Sequence, residues 1–217
     1  WHMPYLEVPR EPLRNGLSRV KSSEVVSTDP IHWTPRQVSY NDLSSPWWMV
    51  ANIISGNTCY SYFNGPSGIN LATSQDKTNW TAYASNPVIP YSLIPAGYEL
   101  RDPYVFLNPD DNTFWMILAG KEPNVAYEES GFYYYSTSTD LYHWTTPAVL
   151  YDPGNIGVPE CPDMFKLYDK FYLIGSWGSG RVGQGRYRMA SSAAGPWTVP
   201  AVDTLDGTEL MAPNSAQ

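Results

Sequence analysis

Two carboxylates in this sequence stand where acid–base chemistry could be done. Glu160 lies in Val158-Pro-Glu-Cys-Pro-Asp-Met-Phe-Lys-Leu167, beside a thiol and between two prolines, at the mouth of a short strand-like run. Asp102 lies in Leu100-Arg-Asp-Pro103, directly before Tyr104-Val-Phe-Leu107. A carboxyl kept protonated near neutral pH can hand a proton to a leaving group, while a second, ionised carboxylate steadies the positive charge that develops. Cys161 is a weaker candidate, because no histidine is placed by sequence to activate it as a nucleophile. Read alone, Pro-Glu-Cys-Pro favours a turn with a solvated glutamate. The elements around it decide the matter.

Those elements are strands. Twenty prolines, sixteen glycines and 15% aromatic residues, without a long amphipathic stretch rich in lysine and glutamate, point away from helices. Aromatic and β-branched runs recur: Trp47–Ile54, Thr113–Ala119, Gly131–Ser136 and Lys170–Gly175, bounded by turn residues such as Asn108-Pro-Asp-Asp-Asn112. Between them a template S-x-D-x-x-x-W-T appears at Ser27–Thr34, Ser74–Thr81 and Ser138–Thr145. A fourth copy at Ser191–Thr198 has Ala193 in place of the aspartate. The tryptophans Trp33, Trp80, Trp144 and Trp197 are 47, 64 and 53 residues apart, the spacing of propeller blades. The template predicts an Asp-led turn at the outer rim of each blade, with the tryptophan packing between neighbouring sheets. Asp29, Asp76 and Asp140 are therefore structural. Asp102 and Glu160 stand at the mouths of the inner strands of consecutive blades, where strands converge on one funnel, and the reading gives them equivalent positions.

Bulk properties narrow the partners. A formal net charge of -8 argues against nucleic acid and anionic membranes, and no run of eighteen apolar residues is present. Two cysteines and three scattered histidines suggest neither a disulfide framework nor a metal centre, and no cofactor is expected. Cellular location stays open.

Arg101-Asp-Pro103 followed by Glu160-Cys-Pro-Asp163, with the S-x-D repeats between, resembles the five-bladed β-propeller of glycoside hydrolase family 32, the invertases, inulinases and levanases. The resemblance implies an all-β chain of four-stranded antiparallel blades, with residues 1–217 forming one catalytic propeller domain whose first and fifth blades are partial. It implies a sugar substrate (sucrose or a fructan) and a retaining mechanism. Glu160 would be the general acid/base, its pKa raised by burial, and Asp102 the transition-state stabiliser, with Arg101 holding fructosyl hydroxyls. Asp163 would bond Arg101 or the sugar, or else cap a turn; Cys161 would pack beside them, and Trp48 and Phe63 would offer aromatic surface. The family's aspartate nucleophile motif is not found before the second blade, and the register places it upstream of residue 1. Residues 1–217 alone are accordingly expected to be inactive. A propeller glycosidase acting on arabinan or xylan, and a non-catalytic sugar-binding propeller, are the alternatives.

Overall fold

The aromatic runs form strands because their side chains alternate between two buried faces. The computed structural model describes residues 1–7, 21–36, 39–41, 49–177 and 184–205. The first sheet contains β1 (His2–Glu7), β2 (Lys21–Val26) and β3 (Thr34–Arg36). The second is built from β4 (Ser39–Asn41), β5 (Met49–Ser55), β6 (Thr58–Gly65), β7 (Gly68–Ser74), β8 (Asn79–Ala82) and the short β9 (Ile89–Pro90). β10 (Glu99–Leu107), β11 (Phe114–Lys121), β12 (Gly131–Ser138) and β13 (Ala148–Tyr151) make the third sheet, and β14 (Glu160–Leu167), β15 (Lys170–Ser176) and β16 (Gly185–Ala190) the fourth. In the last three sheets the strands run outward in chain order from β5, β10 and β14. β10 packs against both β5 and β14, so the three inner strands lie side by side. These are successive blades of a β-propeller.

Alternation on β11 shows how the blades are cemented. Met116 and Leu118 point toward the second blade and share a core with Tyr62, Ile69 and Leu71. Trp115 and Ile117, one residue out of phase, point toward the fourth and pack with Met164, Phe171 and Leu173. A sheet buried on both faces needs apolar side chains at every position, and Phe-Trp-Met-Ile-Leu-Ala supplies them.

The repeated template folds as expected. β2, β7 and β12 each lead into an aspartate turn, and the three turns are near copies. Oδ1 of Asp29, Asp76 and Asp140 accepts two backbone N–H groups, from Ile31 and His32, Thr78 and Asn79, and Tyr142 and His143, at 2.7–2.9 Å. Oδ2 is held at 2.7 Å by His32 Nδ1, Asn79 Nδ2 and His143 Nδ1 respectively. Trp144 meets Tyr62 of the preceding blade edge-on, ring centroids 5.5 Å apart, which is the inter-blade packing the template predicts.

Two details depart from plain antiparallel blades. β4 adds to the outside of β8 in parallel. In the fourth blade the outer strand shrinks to a bridge between Met189 and Thr198. Ala193 offers no carboxylate to organise that turn, and Pro196 and Pro200, lacking N–H groups, cannot extend the ladder.

Candidate active site

Each inner strand carries one extra residue near its mouth. On β10 the register slips between Arg101, opposite Ala119, and Tyr104, opposite Ile117. On β14 it slips between Glu160, opposite Ser176, and Asp163, opposite Ile174. The residue after each slip begins is left-handed, Asp102 at φ 52° and Cys161 at φ 51°. Such a conformation is unusual for residues other than glycine and re-aims the side chains around it. The register corrects the expected equivalence. Arg101 matches Glu160, Asp102 matches Cys161, and Tyr104 matches Asp163. The two carboxylates are brought together by a diagonal between neighbouring bulges.

Arg101 is the hub. Its Nη2 donates to Glu160 Oε1 at 2.6 Å, its Nε lies 3.7 Å from Asp102 Oδ2, and its Nη1 lies 4.0 Å from Glu99 Oε2. Glu99 also takes Lys121 Nζ at 3.0 Å, so it is tied into the cluster rather than simply solvated. From the fourth blade the Cys161 N–H donates to Asp102 Oδ2 at 3.3 Å. From the second, Asn64 Oδ1 accepts the Asp102 N–H at 3.2 Å. Burial pushes the Asp102 carboxyl up, against the pull of the Arg101 guanidinium and the Cys161 N–H. Burial, with the charges of Asp102 and Glu160 behind it, pushes the Cys161 thiol up to about 12. A thiol so placed stays protonated and fills space, as expected from the missing histidine.

The remaining candidates divide. Glu160 was expected to be buried, yet its side chain is 44% exposed, because the bulge turns it toward the funnel. Asp163 is fully buried on β14. Phe63 is 2% exposed and packed with Cys59, Ala72 and Trp80, since alternation on β6 turns it into the blade's own core. Trp48 lies outside the described residues. Both cysteines are free thiols. Sequence reasoning missed Asn64 and Lys121. Asn64-Gly65 was readable only as a turn signal, and nothing in its neighbours announces a reach across to the next blade.

Outward from Glu160, between the third and fourth blades, lies a cavity of about 330 Å3 lined by Glu128, Trp177, Gln184, Arg186 and Arg188 among others. Asp203 accepts from Arg186 at 2.8 Å and Arg188 at 2.7 Å, and Arg188 lies over the Trp177 ring at 4.0 Å. Among the described residues no group of His, Cys, Asp and Glu could hold a metal ion, and no helix is long and apolar enough to cross a membrane.

Residues 1–193 match the family model described as the glycosyl hydrolases family 32 N-terminal domain. The chain belongs to glycosyl hydrolase family 32. A levanase of Bacillus subtilis (strain 168) is 38% identical over 100 residues, 45% of this chain and 13% of the levanase. The sucrose-6-phosphate hydrolase of Escherichia coli is 32% identical over 106 residues, 48% of this chain and 20% of that protein. Among solved structures, a Bombyx mori family 32 β-fructofuranosidase superposes with a TM-score of 0.69 at 19% identity, over 96% of this chain and 46% of that one. The family 32 chain therefore spans under half of each of these proteins, and the last likeness confirms the propeller.

Proposed function

We propose that this family 32 chain carries the acid/base half of a β-fructoside hydrolase site. Glu160 is the general acid/base, Asp102 the charged stabiliser of the oxocarbenium-like transition state, and Arg101 the group that fixes both. The observation that carries the reading is the single guanidinium bridging Glu160 and Asp102 at the mouths of adjacent inner strands. The levanase and sucrose-6-phosphate hydrolase relatives supply the substrate class, β-linked fructosides.

A carboxyl that donates a proton keeps one oxygen free to accept. Arg101 occupies Glu160 Oε1, which leaves Oε2 to pass the proton to the leaving glycosidic oxygen. As the bond breaks, positive charge builds on the sugar ring, and the half-buried Asp102 carboxylate beside Arg101 meets it in a setting where a fixed charge counts for most. A retaining reaction then needs a third carboxylate as nucleophile, a role this reading gives to none of the described residues. In the second half-reaction Glu160 takes a proton from the attacking water.

The test is fructose release from sucrose and levan by the full-length protein and its Glu160→Gln variant. Loss of general acid catalysis should lower kcat by roughly 10²–10⁴-fold. Unchanged release would return Glu160 to a turn residue, and turnover of arabinan in place of fructan would move the chain's substrate class.

A further inference from the structure

We infer that Asn64 is a positioning residue that holds Asp102 in its working geometry from the neighbouring blade, an inference that rests on the fructosidase reading above. Asp102 sits in a backbone conformation that a residue with a side chain rarely adopts, at φ 52°, in the middle of a bulge where its N–H has left the β10–β11 ladder. Such a conformation persists only where its surroundings hold it. The hydrogen bonds that do so come from both flanking blades. The Cys161 N–H of the fourth blade takes the carboxylate at Oδ2, and Asn64 of the second blade takes the backbone N–H through Oδ1. Removing the second grip leaves a half-buried amide without its acceptor and frees the bulge to relax toward ordinary strand. That swings the carboxylate, because the φ of Asp102 sets where its side chain points.

Asn64 is itself braced. Its backbone pairs with Ile69 on β7, and the next carbonyl, Gly65 O, accepts from the Tyr91 hydroxyl at 3.3 Å. A Cβ at Gly65 would lie 2.4 Å from the Asn70 side-chain nitrogen, so that amide would have to turn aside. Tyr91 in turn packs against the core between the second and third blades. The path Tyr91, Gly65, Asn64, Asp102 thus ties the geometry of the site to the seating of one blade on the next.

The test uses the full-length protein with Asn64→Ala and Asn64→Asp, the latter keeping an acceptor oxygen at the same reach. Three quantities are read: kcat and KM on sucrose, melting temperature, and hydrogen exchange at the Asp102 amide. Misplacing a reacting group by about 1 Å costs on the order of 10²-fold. Asn64→Ala should therefore lower kcat by roughly 10–100-fold with little change in KM, and Asn64→Asp should recover most of it. The Asp102 amide should exchange faster in the alanine variant and return toward the wild-type rate in the aspartate one. If Asn64→Ala does not fold, Asn64→Ser, whose oxygen falls short of the Asp102 N–H, gives the same comparison. A lowered melting temperature with wild-type kcat, or unaltered exchange at Asp102, overturns the inference. The two claims separate cleanly. Full activity in Glu160→Gln defeats the fructosidase reading while the exchange data still judge the clamp, and an inactive Glu160→Gln beside a fully active Asn64→Ala defeats the clamp alone.

Discussion

The rim turns and the funnel use the same residue type at the end of a strand and reach opposite results. At the rim, Asp29, Asp76 and Asp140 stand in water, and each accepts bonds on both oxygens. Bonds from the His32 and Asn79 backbones and side chains draw Asp29 and Asp76 well below the ordinary carboxylate range. At Asp140, slight burial opposes the shift and the bonds from His143 outweigh it. In the funnel, Asp102 is half-buried, takes its partners from Arg101 and the neighbouring blade, and is pushed the other way by burial. A carboxylate satisfied by its own turn is a structural part. One held by another blade, with its pKa raised by burial, is a candidate for chemistry. The contrast turns the repeat into a control, because any treatment that affects both regions alike is acting on the fold.

A large effect that sharpens the contrast is expected at Arg101. Arg101→Gln removes the cation shared by Glu160 and Asp102, and loss of charged hydrogen bonds at such a site should cost about 10–100-fold in kcat/KM. The pH profile should move as well. The Arg101 charge holds the Asp102 pKa down against burial, so without it the carboxylate protonates at higher pH and the acid limb of kcat/KM moves upward. A profile that keeps its acid limb would separate Asp102 from the rate.

A smaller effect, on stability alone, is expected at the rim. Asp140→Ala deletes a turn acceptor of the kind that caps helices and should cost about 1 kcal/mol by denaturant unfolding, with kcat unaltered. The Asp140 pKa is lower in the folded chain than in the unfolded one. Its contribution is therefore complete above the ordinary aspartate range and fades as pH falls through the lowered value. The difference between wild type and variant should shrink accordingly on acidification. A drop in kcat at neutral pH would break the division between rim and funnel.

The smallest effect concerns Cys161. With its thiol pushed up to about 12, it should resist iodoacetamide at neutral pH in the folded protein, as followed by mass spectrometry, and react on unfolding. Rapid labelling of the native chain would show a thiolate beside Glu160.

How far the sequence reached follows the same division. The rim was legible because Ser, Asp and Trp act within a few residues of one another, and local bonding repeats wherever the letters repeat. The strand mouths were legible as places, since hairpin turns mark where β10 and β14 end and the mouths lie one strand-length before them. The alignment of Asp102 with Glu160 was not, because one bulged residue shifts every partner by one and leaves no mark in composition. The exposure of Glu160 and the burial of Phe63 were lost for the same reason, each being set by which face a side chain takes. Asn64 was hidden by distance, thirty-eight residues from the amide it serves.

The central claim, that Asp102 is held for chemistry at the expense of the fold, is tested most directly by Asp102→Asn in the full-length protein, with melting temperature and kcat on sucrose measured on one preparation. A folded carboxyl pKa above its unfolded value means that the ionised side chain weakens the fold at neutral pH. The uncharged amide should therefore melt no lower than wild type, while kcat falls by roughly 10²–10³-fold. A lower melting temperature with kcat retained would contradict the account and make Asp102 one more structural turn.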